Sequence, residues 1–419
     1  MNCFLVGGLI LLSVGVQDEI DSELVRQVTA ILRRLDTDDE EQSRDAEKSL
    51  LEIGPAASSF LDSIVSDLPT ETQQVVARVQ TEWDKQRTGK MLQATKVNLR
   101  GKMSVAKALE AIGKQAGIEI IGAEQVVGEV EMSAHDVEFW RAFDQALSGT
   151  SVRIYPYGAE AGGLRVVASE DAPSKVPPPV CYDGPFRVEA IRCEATRDFS
   201  RPSASQLRVV LGLQWEPRLR PIAFQQPTNE IDAVGDTSEI DLVPQNKGVI
   251  VESTVQPEIP YAEMTLPFEL AAAATTQIST LTGTIYAIVP GATETFEFQE
   301  LDDKSSGKEI RKGGLVVQLE YFGAEDTIFA VRIRLKFDNA NGALESYRGW
   351  VSTSEIELQD GMGTVYKPIG SEVSLLSESE AAIKLLFAND PTSNNLVVRS
   401  PTNIHRVPIK IDLRNLILP

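Results

Sequence analysis

The sequence predicts a multidomain α+β chain: helical hairpins first, then a small βαββαβ module, then two tandem all-β sandwich domains. Three observations point there. Apolar residues recur at helical spacing from residue 20 to about residue 90, helix and strand patterns alternate from 91 to 170, and beyond residue 180 short alternating strands are punctuated by Pro, Gly and Asn with almost no helical periodicity. At 419 residues the chain is long enough for several cores.

The first seventeen residues, MNCFLVGGLILLSVGVQ, carry no charged side chain, and their apolar run from Phe4 to Val14 is too short to span a bilayer. The acidic stretch DEIDSE follows at once. This layout predicts a secretory signal peptide over 1–17, cleaved near residues 15 to 17. It implies a periplasmic or envelope-associated location and no integral membrane span in the mature chain. The segment departs from the usual pattern in lacking Lys or Arg at its start and Ala at its cleavage point. Cys3 precedes the apolar run, so lipidation is not expected.

Lys and Arg total 40 against 61 Asp and Glu, a net charge of −21, with no basic stripe. Nucleic acid and anionic membrane surfaces would be repelled by most of such a surface. Aromatic residues make up 6% of the chain, which weighs against a stacking platform as the main function, while 42% hydrophobic residues support packed cores.

Over residues 18–90, Leu24, Val28, Ile31, Leu32 and Leu35 mark one buried helical face. A second helix ends at Gly54-Pro55, a third carries Phe60, Leu61 and Ile64, and a fourth opens at Pro69-Thr70 with Gln73 completing a capping box and carries Val76, Val79 and Trp83. The stretch RDAEKSLLEIG, residues 44 to 54, resembles the second helix of HEAT-like repeats. Two such hairpins are fewer than a free-standing solenoid needs, so this part is expected to pack on something else.

Residues 91–170 change character. VNLRGKMSVAKALEAIGKQAGIEII, residues 97 to 121, reads as a strand, a helix capped by Ser104 with Val105, Ala108, Leu109 and Ile112 on one face, a stop at Gly117, and a second strand. A strand is expected near Glu129 to Met132, a helix from Asp136 to Leu147 with a stop at Gly149, and strands near 151–155 and 164–168. These stretches resemble the short N-terminal module shared by secretins and TonB-dependent receptors, over about 80 residues. The resemblance implies a docking module, although no barrel-forming or secretin-forming region follows it here.

APSKVPPPV, within 171–180, reads as a polyproline linker and domain boundary. The two sandwiches are expected at 181–303 and 304–419, related by an internal duplication. GPFRVEAIRCEA, QLRVVLGLQWE and EIDAVGDTSEIDLV correspond to GGLVVQLEYFGA, IFAVRIRLKFD and EIELQDGMGTVYKP at offsets of roughly 120 to 130 residues. The second copy resembles telokin-like immunoglobulin-type modules, which implies a fold and not an activity.

Candidate chemistry is sparse. The two histidines, His135 and His405, lie far apart in sequence, so a zinc site or a Ser-His-Asp constellation has little material. Gly101-Lys102 has no upstream glycine at P-loop spacing and reads as a turn; Gly361 and Gly363 read as a strand turn. Asp36, Asp38, Glu40 and Glu47 match four positions of a calcium loop, but Glu41 stands where that loop needs glycine. An acidic helix cap is the expected reading. DNANG, residues 338 to 342, reads as a hairpin turn. Cys181 and Cys193 form an even pair in an oxidising compartment. The extended strand 186–196, at about 3.3 Å per residue, carries them apart, so separate thiols are expected.

No catalytic residue, cofactor or metal site is therefore assigned. The expected function is an exported, non-enzymatic envelope protein serving as an interaction or structural scaffold for an unknown envelope partner. Residues 91–170 would be the docking site, through strand addition at an unpaired sheet edge. The alternatives are a carboxylate-dependent hydrolase and a carbohydrate-binding surface protein using tyrosines such as Tyr155 and Tyr157.

Overall fold

The computed structural model describes residues 22–36, 39–157, 163–169, 178–237, 241–256, 259–270, 275–302, 304–325, 328–338, 355–377 and 379–419. The expected signal peptide, Asp38, residues 171–177 of the proline linker and residues 339–342 of the DNANG turn lie outside them. The chain divides into two compact units between Arg87 and Thr88.

The first unit is helical. Helix α1 (Ser22–Leu35) and α2 (Glu40–Ile53) are followed by α3 (Ser58–Ile64) and α4 (Thr70–Met91), the last running across the division. Val28, Leu32, Leu50, Leu61, Val76 and Trp83 form its core. Asp39 caps α2, its Oδ1 accepting the N–H groups of Glu41 and Gln42 at 3.0 and 3.2 Å. This satisfies two of the donors a helix start leaves open. Buried Trp83 still finds a partner for its indole, donating to the Leu51 carbonyl at 3.0 Å.

The second unit opens with strand β1 (Lys96–Ser104), helix α5 (Val105–Ala116), β2 (Glu119–Ile121), β3 (Glu129–Glu138), helix α6 (Phe139–Leu147), β4 (Val152–Tyr155) and β5 (Gly163–Ala168). Strands β1 and β3 pair antiparallel, while β2 lies parallel to β5 and β5 antiparallel to β4. Ser104 caps α5 and Gly117 ends it in the left-handed region at φ 66°. Phe139, Trp140 and Phe143 interlock on the inner face of α6 with ring centroids 5.0 to 5.8 Å apart.

Two local expectations change. Gly101 is no turn: it sits inside β1 opposite Met132, in a ladder unbroken from Leu99 to Ser104, and carries its positive φ of 104° within the strand. Strand β3 runs to Glu138, so α6 starts three residues later than the expected Asp136. Asp136 itself has φ 56° and lies in the strand.

The sandwiches follow. The first repeat holds β6 (Val180–Asp183), β7 (Phe186–Thr196), β8 (Gln206–Trp215), β9 (Ala223–Pro227), β10 (Ile231–Gly235), β11 (Asp241–Leu242), β12 (Ile250–Thr254), β13 (Tyr261–Glu269) and β14 (Gln277–Phe298). The second holds β15 (Glu309–Lys312), β16 (Leu315–Glu325), β17 (Ile328–Phe337), β18 (Glu355–Gln359), β19 (Val365–Tyr366), β20 (Gly370–Leu376), β21 (Glu380–Phe387) and β22 (Asn395–Ile417). One outer sheet has the order β13-β8-β7-β6 and the other β15-β16-β17-β21-β20. The order β6, β7, β8, β13 in the first therefore matches β15, β16, β17, β21 in the second.

Between them lies one shared sheet, β11-β10-β14-β22-β18-β19, with β9 and β12 attached. It is nearly symmetric about the β14–β22 pair, whose register runs from Gln277 opposite Ile417 to Phe298 opposite Leu396. At about 3.3 Å per residue this ladder is about 70 Å long.

Each of these two strands serves both cores. In β14, Ile285, Ala287 and Val289 pack into the first core, whereas Ile288, Phe296 and Phe298 pack into the second. In β22, Leu396, Val398 and Ile404 belong to the second core, and Val407, Ile409 and Ile411 to the first. Because neighbouring side chains on a strand point to opposite faces, this change of parity puts the two cores on opposite faces of the shared sheet. The expected division at 303/304 thus falls between the strand repeats but does not separate the cores.

Candidate functional site

A densely hydrogen-bonded polar region is the seam where the small module docks on β6, β7 and β8. The chain entering the module is held first. Glu216, fully buried, accepts the Thr95 amide at 2.8 Å and the Thr95 hydroxyl at 2.5 Å. Arg218 lies 2.7 Å from the same carboxylate and donates to the carbonyls of Met91 and Gln93. Gly184, in the β6–β7 turn, has φ +55°, and a Cβ there would stand 2.8 Å from the Leu92 carbonyl oxygen. Only glycine meets both demands. Trp140 of α6 then donates its indole N–H to the Pro185 carbonyl of the same turn at 3.0 Å.

At the centre of the seam Asp144, on α6, accepts from Arg187 Nε at 2.8 Å and from the Tyr182 hydroxyl at 2.5 Å. The Arg187 guanidinium also binds Gln214 Oε1 at 2.7 Å and Glu189. Arg187 is only 7% exposed. Burial alone would lower its pKa, but Asp144 and Glu189 outweigh it and raise the value further, so the cation is permanent. Burial, and then Asp144, pushes the Tyr182 hydroxyl up as well, fixing it as a donor. Every ionisable group named at this centre thus has a fixed partner, the pattern of a latch rather than a proton relay.

The seam has two open ends. At one, a groove of about 390 Å³ is lined by Arg141, Cys181, Tyr182, Asp183, Lys410 and Asp412. There the Arg141 guanidinium lies 4.5 Å above the Tyr182 ring and 3.0 Å from Glu138, and Asp183 accepts the Lys410 amide at 2.7 Å. At the other end Tyr155 and Tyr157, 40% and 46% exposed, meet Tyr261 of β13. Successive ring centroids are 5.8 and 6.3 Å apart with near-perpendicular planes. The Tyr261 hydroxyl donates to Glu263 at 2.9 Å.

Other residues singled out from sequence are scattered. His135 lies in β3 with Nδ1 3.0 Å from Asn98 Oδ1, not at a helix start. His405 lies in β22 where the ladder passes from one core to the other, its Nε2 buried without a hydrogen-bond partner and its pKa lowered by burial. Lys102 pairs with Glu129 at 2.6 Å. Glu47 pairs with Arg78 at 3.1 Å, which, with the Asp39 cap, gives the acidic run helical duties. Gly363 donates its amide to Asp360 in the turn after β18. Cys181 and Cys193 are free thiols; burial raises the first and, helped by Glu194, pushes the second up to about 11. Among the described residues no group of three His, Cys, Asp or Glu side chains could hold a metal ion, and no helix is long and apolar enough to cross a membrane.

Asp144, Arg187, Glu216 and Arg218 were not singled out from sequence. The available signal was polar residues interrupting apolar strands, as in FRV and LGLQWE, since a charge on a buried strand requires a partner.

No family model and no curated protein matches the chain. One solved structure, described as "The crystal structure of the conserved domain protein from Bacillus anthracis", aligns over 56% of this chain and 89% of its own at 10% identity. Its TM-score is 0.17, too low to carry any argument.

Proposed function

We propose that the protein is an exported, non-enzymatic envelope protein that acts as an interaction scaffold, with residues 91–170 docking an envelope partner. The observation that carries this reading is the latch of Asp144, Arg187 and Glu216, which fixes the module on the sandwich pair. Groups on the module are thereby held at set positions relative to a shared sheet about 70 Å long. A platform of this kind suits recognition by position.

Because the latch occupies one side of the module, the partner surface is narrower than the whole segment. It is the β1–β3 ribbon, which leaves Arg100 and Lys102 exposed, together with Val127, 91% exposed in the loop that leads into β3. The test is affinity capture of proteins from the native envelope with the full chain and with its Arg100→Glu, Val127→Glu double variant. Loss of specific captured proteins with unchanged thermal stability supports the reading. An identical set from both proteins removes the ribbon as the docking surface.

A second reading, a carbohydrate-binding surface protein, is favoured by one observation. Tyr261 joins Tyr155 and Tyr157 in an exposed aromatic strip. Its test is a glycan array followed by Tyr157→Ala, which should abolish any signal that comes from the strip.

A further inference from the structure

The tyrosine strip is assembled from both sides of the seam. Tyr155 ends β4 and Tyr157 follows it, whereas Tyr261 opens β13 on the first sandwich. In the sheet register Gly212 of β8 stands between Glu189 of β7 and Glu263 of β13. The Tyr261 ring lies against it, and a Cβ at Gly212 would come within 3.2 Å of Cε2 of that ring. The absent side chain gives the ring a seat on the sheet. Its hydroxyl, donating to Glu263, is held as well. Arg165 and Gln214 line a small cavity that Tyr155 and Tyr261 also line.

The orientation of the rings narrows what can stack on them. The planes of Tyr155 and Tyr157 meet at 74°, and those of Tyr157 and Tyr261 at 75°. A flat crystalline polysaccharide face stacks only on rings that share a plane. These rings do not, so a ligand in contact with all of them has to turn from one to the next. A tyrosine face takes an apolar surface such as the C–H face of a sugar ring, and the polar groups beside it choose among polymers. Glu263 accepts hydrogen bonds, Arg165 donates them and Gln214 carries an amide that can do both. Sugar hydroxyls also do both and suit such a rim. A polyproline helix offers backbone carbonyls and no backbone N–H, which leaves Glu263 facing groups that cannot donate to it.

We infer that the strip holds a single soluble glycan chain of at least three sugar residues, one on each tyrosine, running across the seam from the module to the first sandwich. This rests on the carbohydrate reading of the strip and narrows it to single chains, as opposed to crystalline faces, and to oligosaccharides, as opposed to terminal sugars. The latch of Asp144 and Arg187 joins the two bodies that carry the rings, and so keeps Tyr157 and Tyr261 in register.

The test applies the full chain to a glycan array graded in chain length, with crystalline cellulose and chitin as insoluble probes and polyproline as a peptide probe. Each variant is checked for an unchanged thermal melt. Binding should be stronger for a tetrasaccharide than for the matching disaccharide and absent on both crystalline polymers. Tyr155→Ala, Tyr157→Ala and Tyr261→Ala should each weaken it by about tenfold. Binding that depends on Tyr157 but is as tight for the disaccharide, or is indifferent to Tyr261→Ala, overturns the inference and leaves the carbohydrate reading standing. Adsorption to crystalline cellulose or chitin through the tyrosines does the same. An array without signal, binding that survives Tyr157→Ala, or binding of polyproline in place of glycans removes both.

Discussion

Thr95 and Glu216, 121 residues apart in sequence, are joined twice: one carboxylate oxygen takes the threonine amide and the other its hydroxyl. Glu216 is fully buried, so its oxygens cannot turn to water if these donors are lost. Glu216→Ala should therefore destabilise the second unit by about 3 kcal/mol, and Glu216→Gln by less, because an acceptor remains. Urea denaturation measures both; equal stability of Glu216→Ala and native protein would remove the clamp from the account.

Arg187 and Asp144 can be separated by a double-mutant cycle. Arg187→Ala leaves Asp144 and Glu189 facing each other's charge in a half-buried site and is expected to cost about 3–5 kcal/mol. Arg187→Met with Asp144→Leu, which replaces the pair by apolar volume, should recover part of that loss. A coupling energy of about 1–3 kcal/mol is expected for groups in direct contact. Additive single effects would show that the two do not act together.

His405 makes stability depend on pH. Burial favours its neutral form, so its folded pKa lies below the ordinary value of about 6.5. The unfolded state then binds the proton more readily, and stability rises with pH over that interval. The contribution is complete above about pH 6.5 and is lost as pH falls through the folded value. Chemical denaturation at successive pH values should show this slope, and His405→Gln should flatten it; an unchanged slope would assign the acid sensitivity to other groups.

Proteolysis between Ala172 and Val180, expected from the proline-rich sequence, should give two fragments that remain together. Thr95–Glu216, Trp140–Pro185 and Asp144–Arg187 all cross the seam without using the linker. Gel filtration after nicking should show one species under native conditions and two fragments in denaturant. Separation under native conditions would mean that the seam is weaker than its burial implies.

The helices of the first unit and the order of elements in the module were legible because capping residues and apolar spacing act locally. Ser104, Gly117 and the Val105-Leu109-Ile112 face needed no distant information. The strand order of the two sandwiches was also legible as a repeat. The sharing of β14 and β22 was not, although its trace lies in the sequence. The apolar residues of β22 occupy Leu396, Val398 and Ile404, then shift by one to Val407, Ile409 and Ile411. A shift of one residue exchanges the faces of a strand, but it looks the same as an irregular strand until the second core is known. The seam was illegible for a different reason: Arg187 and Glu216 find partners more than 40 residues away, Asp144 and Thr95, and nothing in their own neighbourhoods names them.

The shared ladder also imposes an order in time. Phe296 and Phe298 are in place when β14 has been made, yet their half of the ladder pairs with Leu396 and Val398. The first core likewise waits for Ile409 and Ile411. At the usual pace of synthesis, the stretch between Phe298 and Asn395 occupies about 5–20 s, during which both sheets have an apolar face and an unpaired edge. Neither sandwich can therefore serve as a folded template for the other while the chain emerges. The nascent protein depends on being kept from association until residues 395–417 arrive and close both cores in one step.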